Sequence, residues 1–237
     1  MRRKGRIPLH DYPARRIAII KPSALGDIVH SLPVLSALRR RYPDAHITWI
    51  VNRGYEPLLR GHPELNHTLP FDRAAIRQGW GAALRGYRAF LRECRQREFD
   101  LVIDLQGLLR SGLMTFASGA ARRVGLSTAR EGARLFYTDV VPVADFNAIH
   151  AVDRYWLVAE ALGAGAGPKQ FHVHVPEAER AWAKELLRGK PRPIVALAAG
   201  SRWVTKRWLP EHFGEVLRRI AGHCGLGGCH AHGFAWA

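Results

Sequence analysis

The sequence predicts an α/β protein built on a parallel, doubly wound sheet, and three observations carry this prediction. A β-branched run at 16–20 leads through a tight turn into residues whose apolar side chains recur at helical spacing. Strand-like and helix-like stretches then alternate regularly along the chain. Polar and small residues directly follow two of the apolar strands, at 21–26 and 104–107. Because open α/β sheets bind ligands beyond the carboxyl ends of their strands, we expect a ligand site there.

The first strand and helix have the clearest pattern in the chain. Residues 16–20 form a short β-branched run of the kind that is buried on both faces of a sheet. Pro22 and Ser23 end the strand, and Gly26 lets a ligand approach the backbone. The helix that follows continues to residue 41. Its apolar positions are Ile28, Val29, Leu32, Leu35 and Leu38.

The remaining elements of the first domain alternate in the same way. Strands are predicted at 45–51, 66–70, 101–104 and 123–126, where apolar residues concentrate. Helices are predicted at 55–60, 81–97, 108–118 and 148–162, with Gly61 and Gly163 as stop signals. Residues 136–143 are expected to be extended but irregular. The inner face of the long amphipathic helix is predicted to consist of Leu84, Tyr87, Leu91 and Cys94.

A run of small residues and breakers at 163–168 (G-A-G-A-G-P) resembles a linker, and we place a domain boundary there. The second part repeats the alternation, with strands predicted at 171–175 and 193–198, helices at 177–187 and 210–220, and a loop at 200–208. The predicted organisation is a basic N-terminal arm at 1–15, a first Rossmann-like domain at 16–167, the start of a second at 168–220 and a tail at 221–237.

The tail has neither strand nor helix periodicity. It contains no Asp, Glu, Lys or Arg, and it holds two of the three cysteines of the chain. We therefore expect a truncated or frame-shifted product here rather than evolved structure. The spacing C-x4-C-H-x-H matches no strong zinc-finger pattern, so no metal site is expected. The residues concerned are Cys224, Cys229, His230 and His232.

The charge of the chain indicates an anionic partner. Thirty-six Lys and Arg against 20 Asp and Glu give a net charge of +16. Nucleic acid, an anionic membrane and a phosphorylated substrate would each fit. No apolar run approaches the ~18 residues of a membrane span, and the N-terminus has no signal-peptide pattern. Three cysteines suit a reducing compartment, so we expect a cytoplasmic protein without a disulfide framework.

Five blocks of the sequence resemble one enzyme family. Residues 21–33 (K-P-S-A-L-G-D-I-V-H-S-L-P) resemble K-x-S-x-x-G-D-x-x-H-x-L-P, the opening motif of the ADP-heptose:lipopolysaccharide heptosyltransferases of glycosyltransferase family nine. The blocks at 99–111, 128–131, 150–155 and 205–211 resemble later motifs of the family in the same order. The chain is most similar in type to heptosyltransferase I, and the blocks extend over about residues 16–220.

The resemblance implies a GT-B architecture, in which a complete N-terminal Rossmann-like domain faces an incomplete second one across a cleft. It implies inverting transfer of heptose from ADP-L-glycero-D-manno-heptose to the lipid A-Kdo acceptor of the lipopolysaccharide inner core, without a cofactor or metal. The anionic acceptor would be met at the inner surface of the cytoplasmic membrane. Family members continue through a D-x-G-x-x-H block that contacts the sugar nucleotide. That block is absent here, so these 237 residues are expected to bind acceptor with little or no transfer.

The resemblance also implies roles for individual residues. Asp27 would be the general base that removes the acceptor hydroxyl proton, whereas its position alone also fits an acid that caps a helix. Lys206 would stabilise the diphosphate leaving group. For Asp104, a structural role as the cap of a strand-to-helix turn stays open. Donor contacts are expected from Gly200, Ser201, Thr205 and Lys206, and acceptor contacts from Ser23, Gly26, Gln106, Gly107, Arg130, His150 and Arg154.

Two alternatives to an active transferase remain. A basic, non-catalytic protein that binds phosphate groups or nucleic acid would suit the charge. The basic residues are dispersed rather than interleaved with aromatic ones, however, so nucleic acid is not the expected partner. The other alternative is a catalytically inactive fragment of a heptosyltransferase. The sequence leaves the oligomeric state undetermined.

Overall fold

The apolar runs of the first part of the chain pair into one parallel sheet of six strands, in the order β3-β2-β1-β4-β5-β6. This is the order of a Rossmann-type sheet, in which the direction of winding reverses between β1 and β4. The strands are β1 Arg16–Ile20, β2 His46–Asn52, β3 His67–Phe71, β4 Leu101–Asp104, β5 Arg122–Leu126 and β6 Asp139–Val141.

The computed structural model describes residues 7–72, 80–190, 194–201 and 204–224. The chain falls into two compact units, Met1–Pro176 and Glu177–Ala237. The predicted domain limits, with an arm at 1–15 and a boundary at 167–168, stay predictions. The structure of each unit is given by itself below.

In the first unit, helices cover both faces of the sheet. Ile17 and Ile19 of β1 pack in one apolar cluster with residues of α1 and α4, whereas Ala18 and Ile20 pack in another with residues of α2 and α3. This alternation follows from the two-residue period of a strand. The helices are α1 Leu25–Arg41, α2 Trp80–Gln96, α3 Leu109–Ala117 and α4 Ala151–Ala161, and short 3₁₀ turns lie at Leu9–Asp11, Arg53–Leu58 and Ala133–Phe136.

The predicted α/β fold with a parallel, doubly wound sheet is confirmed in this unit. All five predicted strands form, and the segment 136–143, expected to be irregular, contributes the sixth, β6. β6 has only three residues and begins with the polar Asp139, which explains why the sequence pattern missed it. Asp139 accepts a hydrogen bond from the buried Arg122 at 3.2 Å, so the polar residue has a partner at this edge of the sheet.

One predicted core position of α2 is wrong. Leu84 is predicted to lie on the inner face, but it is 58% exposed. The buried face centres on Phe90 and Cys94, and at 3.6 residues per turn Leu84 lies about 100° away from that centre. It therefore flanks the solvent-facing side of the helix.

The second unit is helical where it is described. α5 spans Glu177–Leu186, a 3₁₀ turn spans Val204–Lys206, and α6 spans Pro210–Cys224. The strands predicted at 171–175 and 193–198 are not formed by residues 171–175 and 194–198, whose larger apolar side chains are exposed. A strand needs a hydrogen-bonded neighbour, and the described residues of the second unit include no strand that could provide one for 194–198, whereas 171–175 belong to the first unit.

Residues 221–224, which are predicted to belong to an irregular tail, are part of α6 instead. Residues 225–237, with Cys229, His230 and His232, lie outside the described residues. Among the described helices, none combines the length and the apolar character needed to cross a membrane.

The buried sheet predicts a clear contrast between core and surface substitutions. Ile103→Ala in β4 removes a fully buried side chain, and we expect it to lower the free energy of unfolding by about 2–5 kcal/mol. Leu135→Ala is the control, because Leu135 is 86% exposed and should change stability little. Urea denaturation of both variants measures the difference. Equal, small effects would contradict the assignment of β4 to the core.

Candidate active site

The predicted acceptor residues lie at the carboxyl edge of the first unit's sheet. Ile20 of β1 pairs with Asp104 of β4, so the segments after these two strands emerge side by side where the winding reverses. Ser23, Gly26 and Asp27 follow β1, and Gln106 and Gly107 follow β4. Arg130 follows β5, and His150 and Arg154 begin α4. The topology therefore brings together, at one edge of the sheet, predicted site residues from separate segments of the chain.

Asp27 is in the first turn of α1 and is half-buried. Its Oδ2 accepts a hydrogen bond from the Ala24 amide at 3.2 Å, and its Oδ1 accepts one from the Tyr155 hydroxyl at 3.3 Å. Asp27 therefore does cap α1, as the sequence allowed, but capping does not bury its carboxylate completely. A fixed carboxylate with remaining solvent access is suited to accept a proton from a bound hydroxyl.

Lys21 is a residue that sequence reasoning missed as a functional group. Its side chain is 3% exposed, and its Nζ donates a hydrogen bond to the Leu105 carbonyl at 3.2 Å. The ammonium lies 5.0 Å from the centre of the Tyr155 ring. Burial lowers the pKa of Lys21 to about 8, against the opposing attraction of Asp27 and Asp104. The only signal in the sequence was its place as the first residue of the opening motif.

Asp104 caps the turn after β4. Its Oδ1 accepts the amides of Gln106 and Gly107 at 2.9 and 3.0 Å, and its Oδ2 accepts the Tyr137 hydroxyl at 2.7 Å. Burial raises the pKa of Asp104, although these hydrogen bonds favour the charged form. With both oxygens engaged and the side chain buried, Asp104 has a structural role.

The turn that Asp104 holds carries Gln106 and Gly107. Gly107 has a φ of +68°, and a Cβ atom there would lie 3.1 Å from Cα of Ala129. This close approach lets the Gly107 carbonyl accept the Arg130 amide at 2.8 Å, which positions the exposed Arg130. The buried Oε1 atom of Gln106 has no hydrogen-bond partner among the described residues.

Gln106 lines a small cavity of about 130 Å³ beside this turn. Arg110, Ser111 and Glu131 also line it, and the Glu131 carboxylate accepts the Leu109 amide at 3.1 Å, at the start of α3. A larger hollow of about 520 Å³ lies near the amino-terminal end of the sheet, beside Arg15, Arg41 and Tyr42. No predicted site residue lines the larger hollow, so we associate the site with the carboxyl edge.

The start of α4 adds cationic and imidazole groups. His150 caps the helix, because its Nδ1 accepts the Val152 amide at 3.3 Å, and its ring lies 5.1 Å from that of His30. The guanidinium of Arg154 lies 4.4 Å from the Phe146 ring centre and 5.5 Å from that of Tyr155. His30 belongs to the opening motif but is not among the predicted site residues, and its buried Nδ1 has no hydrogen-bond partner among the described residues.

The predicted donor residues lie in the second unit. Gly200, Thr205 and Lys206 are exposed, and Ser201 is half-buried. The Ser201 carbonyl accepts a hydrogen bond from Arg207 at 2.7 Å. The Trp208 ring lies 5.0 Å from His212 and 5.1 Å from Phe213 of α6, which holds the Val204–Lys206 turn against that helix. The geometry leaves the Thr205 hydroxyl and the Lys206 ammonium available to a ligand.

One cluster outside this edge has residue types that can bind metals. His62, Glu64 and His172 have potential ligand atoms within 4.8 Å of one another. The His62 Nε2 donates to the His172 carbonyl at 2.7 Å, and its Nδ1 accepts the Glu64 amide at 3.2 Å. Because both ring nitrogens of His62 already form hydrogen bonds with the main chain, we interpret the cluster as a structural contact that holds the segment around residue 172 in place.

Comparison with known proteins accounts for this combination of fold and edge residues. The sequence profile of glycosyltransferase family 9 (heptosyltransferase) matches residues 87–224, which is more than half of the chain. The chain belongs to glycosyltransferase family 9. The resemblance drawn from the five sequence blocks is thereby confirmed.

Curated relatives of this family 9 chain include lipopolysaccharide heptosyltransferase 1 of Pseudomonas aeruginosa. The two are 31% identical over 215 residues, covering 86% of this chain and 58% of the relative. The Escherichia coli K12 protein of the same name is 30% identical, with 87% of this chain and 65% of the relative covered. The chain thus spans about three fifths of the length of these relatives.

Solved structures agree on the fold of the family 9 chain. A family 9 glycosyl transferase from Veillonella parvula matches with a TM-score of 0.73 at 24% identity, over 90% of this chain and 61% of that one. E. coli heptosyltransferase WaaC with ADP matches with a TM-score of 0.67 at 27% identity, over 88% and 65%. These matches confirm the GT-B fold class, and the six-stranded sheet of Met1–Pro176 is a Rossmann-like unit of that class.

The turn around Gly107 gives a prediction on stability in this family 9 chain. Gly107→Ala combines a positive φ with a contact of 3.1 Å to Ala129, so we expect a loss of about 1–3 kcal/mol in the free energy of unfolding. Gly26→Ala is the matched control, because a Cβ atom there meets nothing within 4 Å. Urea denaturation should leave the control as stable as the parent. A Gly107→Ala protein of parental stability would contradict the close approach.

The buried Lys21 gives a prediction on pH. Since its pKa is lowered from 10.5 to about 8, the unfolded chain binds a proton between these values that the folded chain does not. The stability of the parent relative to Lys21→Met should therefore rise from about pH 8 to about pH 10.5. Urea denaturation of both proteins at several pH values tests this, and a difference that is independent of pH would contradict it.

Proposed function

We propose that this chain provides the acceptor side of a heptosyltransferase. The reaction is transfer of heptose from ADP-L-glycero-D-manno-heptose to the lipid A-Kdo acceptor of the lipopolysaccharide inner core. Membership of glycosyltransferase family 9 and the names of its relatives support the reaction class. One solved structure is of E. coli heptosyltransferase WaaC with ADP-2-deoxy-2-fluoro heptose, which supports an ADP-linked donor. The observation that carries the proposal is the fixed but half-exposed carboxylate of Asp27 where the winding reverses.

In the proposed step, an acceptor hydroxyl oxygen attacks the anomeric carbon of the heptose. The new C–O bond forms as the bond from that carbon to the diphosphate oxygen breaks, and ADP leaves with the electron pair. Attack from the face opposite the leaving group inverts the anomeric centre. Asp27 takes the hydroxyl proton, so no cofactor is needed to balance the reaction.

The groups around Asp27 suit this role. The Tyr155 hydroxyl and the Ala24 amide fix the direction of the carboxylate. Little of its orientational freedom therefore remains to be lost when the acceptor binds. Lys21 and Arg154 each place a positive charge near the Tyr155 ring, at 5.0 and 5.5 Å from its centre, where they offset the negative charge of Asp27. A second carboxylate, Asp104, is buried and fully bonded, so it does not compete as the base.

The acceptor is anionic, and the proposed contacts match this charge. Arg130 and Arg154 can bind carboxylate or phosphate groups with two hydrogen bonds each. Gln106 lines the small cavity at this edge, where its side-chain amide can hydrogen-bond a sugar hydroxyl. Ser23, Gly26, Gly107 and His150 complete the proposed acceptor side.

The donor side is proposed to lie on the second unit. Lys206 would approach the diphosphate, where negative charge develops as ADP leaves, and Thr205 would hydrogen-bond a phosphate oxygen. Gly200 and Ser201 would supply backbone contacts. We also propose that the protein works in the cytoplasm at the inner face of the cytoplasmic membrane, where a lipid-anchored acceptor is accessible.

A hybrid enzyme tests the role of Asp27. Residues 1–176 of this chain replace the corresponding unit of the E. coli K12 relative, and transfer from ADP-heptose to lipid A-Kdo is measured. We expect Asp27→Asn to lower the rate by about two to four powers of ten while leaving acceptor affinity nearly unchanged, because only the proton acceptor is removed. Asp44→Asn, at an exposed carboxylate outside the site, is the control. Transfer by Asp27→Asn at the rate of the parent hybrid would remove Asp27 from the mechanism.

A further inference from the structure

The solvent-facing side of α2 carries a stripe of arginines. Arg85, Arg88, Arg92 and Arg95 are all exposed and recur at intervals of three and four residues. At 3.6 residues per turn they fall within about a quarter of the helix circumference, so their guanidinium groups lie on one side. We call these four residues the arginine stripe. Leu84, exposed and directly beside it, gives the same side an apolar edge.

The arginine stripe is not neutralised within the described part of the chain. No described Asp or Glu forms an ion pair with any of the four, and the neighbouring Glu93 is bonded to Arg97 at 2.9 Å. Like charges three and four residues apart on a helix repel each other by a few tenths of a kilocalorie per mole. The stripe therefore does not stabilise α2, and its charges are available to an external partner.

The orientation of the arginine stripe is fixed by the opposite side of α2. Phe90 and Cys94 are buried against the sheet, and the Phe90 ring lies 5.1 Å from that of Phe71 in β3. The guanidinium of Arg95 also packs against Gly119, which follows α3. It can do so because Gly119 has no Cβ atom, which would overlap it. The helix cannot turn the arginines inward without losing these contacts.

The arginine stripe leads toward the candidate site. The Tyr87 hydroxyl of α2 donates a hydrogen bond to the Arg110 carbonyl at 2.8 Å. Arg110 has its guanidinium 5.8 Å from the Phe71 ring centre and lines the cavity that contains Gln106. Because α2 follows β3 and Tyr87 contacts Arg110, the beginning of the stripe, at Arg85 and Arg88, is its end nearer to the acceptor edge of the sheet.

We propose that the arginine stripe and Leu84 form a docking face for an anionic lipid surface. This inference rests on the proposed function in one respect, since it places a lipid-anchored acceptor beside the edge that carries Asp27. Arginines would bind the phosphate groups of the lipid heads, and Leu84 would enter the boundary between heads and acyl chains. Among the described residues of this face, no exposed aromatic ring is available to stack on bases, which favours lipid over single-stranded nucleic acid.

Vesicle sedimentation with the 237-residue chain tests the proposal. We expect binding to vesicles of phosphatidylglycerol and phosphatidylcholine, weak binding to phosphatidylcholine alone, and a loss of binding as salt rises. Each arginine near an anionic membrane contributes about a fivefold increase in partitioning, so Arg88→Gln/Arg92→Gln should weaken binding about 25-fold. Leu84→Gln should weaken it further without changing the charge.

The matched control is Arg15→Gln/Arg41→Gln, which removes the same charge from exposed arginines beside the hollow at the amino-terminal end of the sheet. It should change binding less than threefold, a small effect for two charges away from the docking face. Equal losses in both double variants would show attraction by net charge alone and would overturn the proposal. So would equal binding to neutral and anionic vesicles, or displacement of the vesicles by a DNA duplex at equal phosphate concentration.

The test separates this inference from the proposed function. Asp27→Asn should leave vesicle binding unchanged, because Asp27 is in α1 and is not part of the arginine stripe. Vesicle binding that depends on the stripe, together with a hybrid enzyme that transfers no heptose, would support the docking face and reject the proposed reaction. Heptose transfer by the hybrid, together with vesicle binding that does not depend on the stripe, would support the proposed reaction and reject the docking face.

Discussion

The pairing of β1 with β4 is the constraint on which the candidate site depends. The two strands are neighbours in the sheet but are separated in sequence by two further strands and two helices, and their carboxyl ends leave the sheet side by side. Lys21 follows one strand and bonds to the carbonyl of Leu105, which follows the other. The buried lysine thus joins the two segments that carry Asp27 and Gln106. A shift of register between β1 and β4 would separate them.

Tyr155 extends this connection to α4. Its hydroxyl reaches Asp27 and its ring faces Lys21, so a residue 128 positions away in sequence sets the direction of the proposed base. Burial raises the pKa of Tyr155 to about 12, and the negative charge of Asp27 acts in the same direction. The hydroxyl therefore keeps its proton at neutral pH and acts as a donor to the carboxylate. In this arrangement, capping α1 and accepting a proton are compatible roles for Asp27, because they use the carboxylate in different ways.

Much of this could be predicted from sequence because the signals are local. The β-branched runs, the turn at 21–26 and the positions of Asp27 and Gln106 after strands all depend on neighbours within a few residues. The role of Lys21 could not be predicted, since it depends on burial between two strand ends and an aromatic ring from α4. β6 was missed for a similar reason. Its three residues are defined as a strand by pairing with β5 rather than by an apolar pattern of their own.

The strands predicted at 171–175 and 193–198 show the limit of the same reasoning. Their residues have the apolar character of buried strands, and in a Rossmann-like sheet such segments are covered on both faces. In the described chain neither 171–175 nor 194–198 forms a strand, and their larger apolar side chains are exposed, which means that composition alone does not determine a central strand. α5 and α6 form nonetheless, because a helix satisfies its backbone hydrogen bonds within itself, whereas a strand depends on a neighbour. The proposed donor residues follow the segment 194–198. Their geometry therefore depends on strand pairing with residues outside that segment more than the geometry of α5 and α6 does.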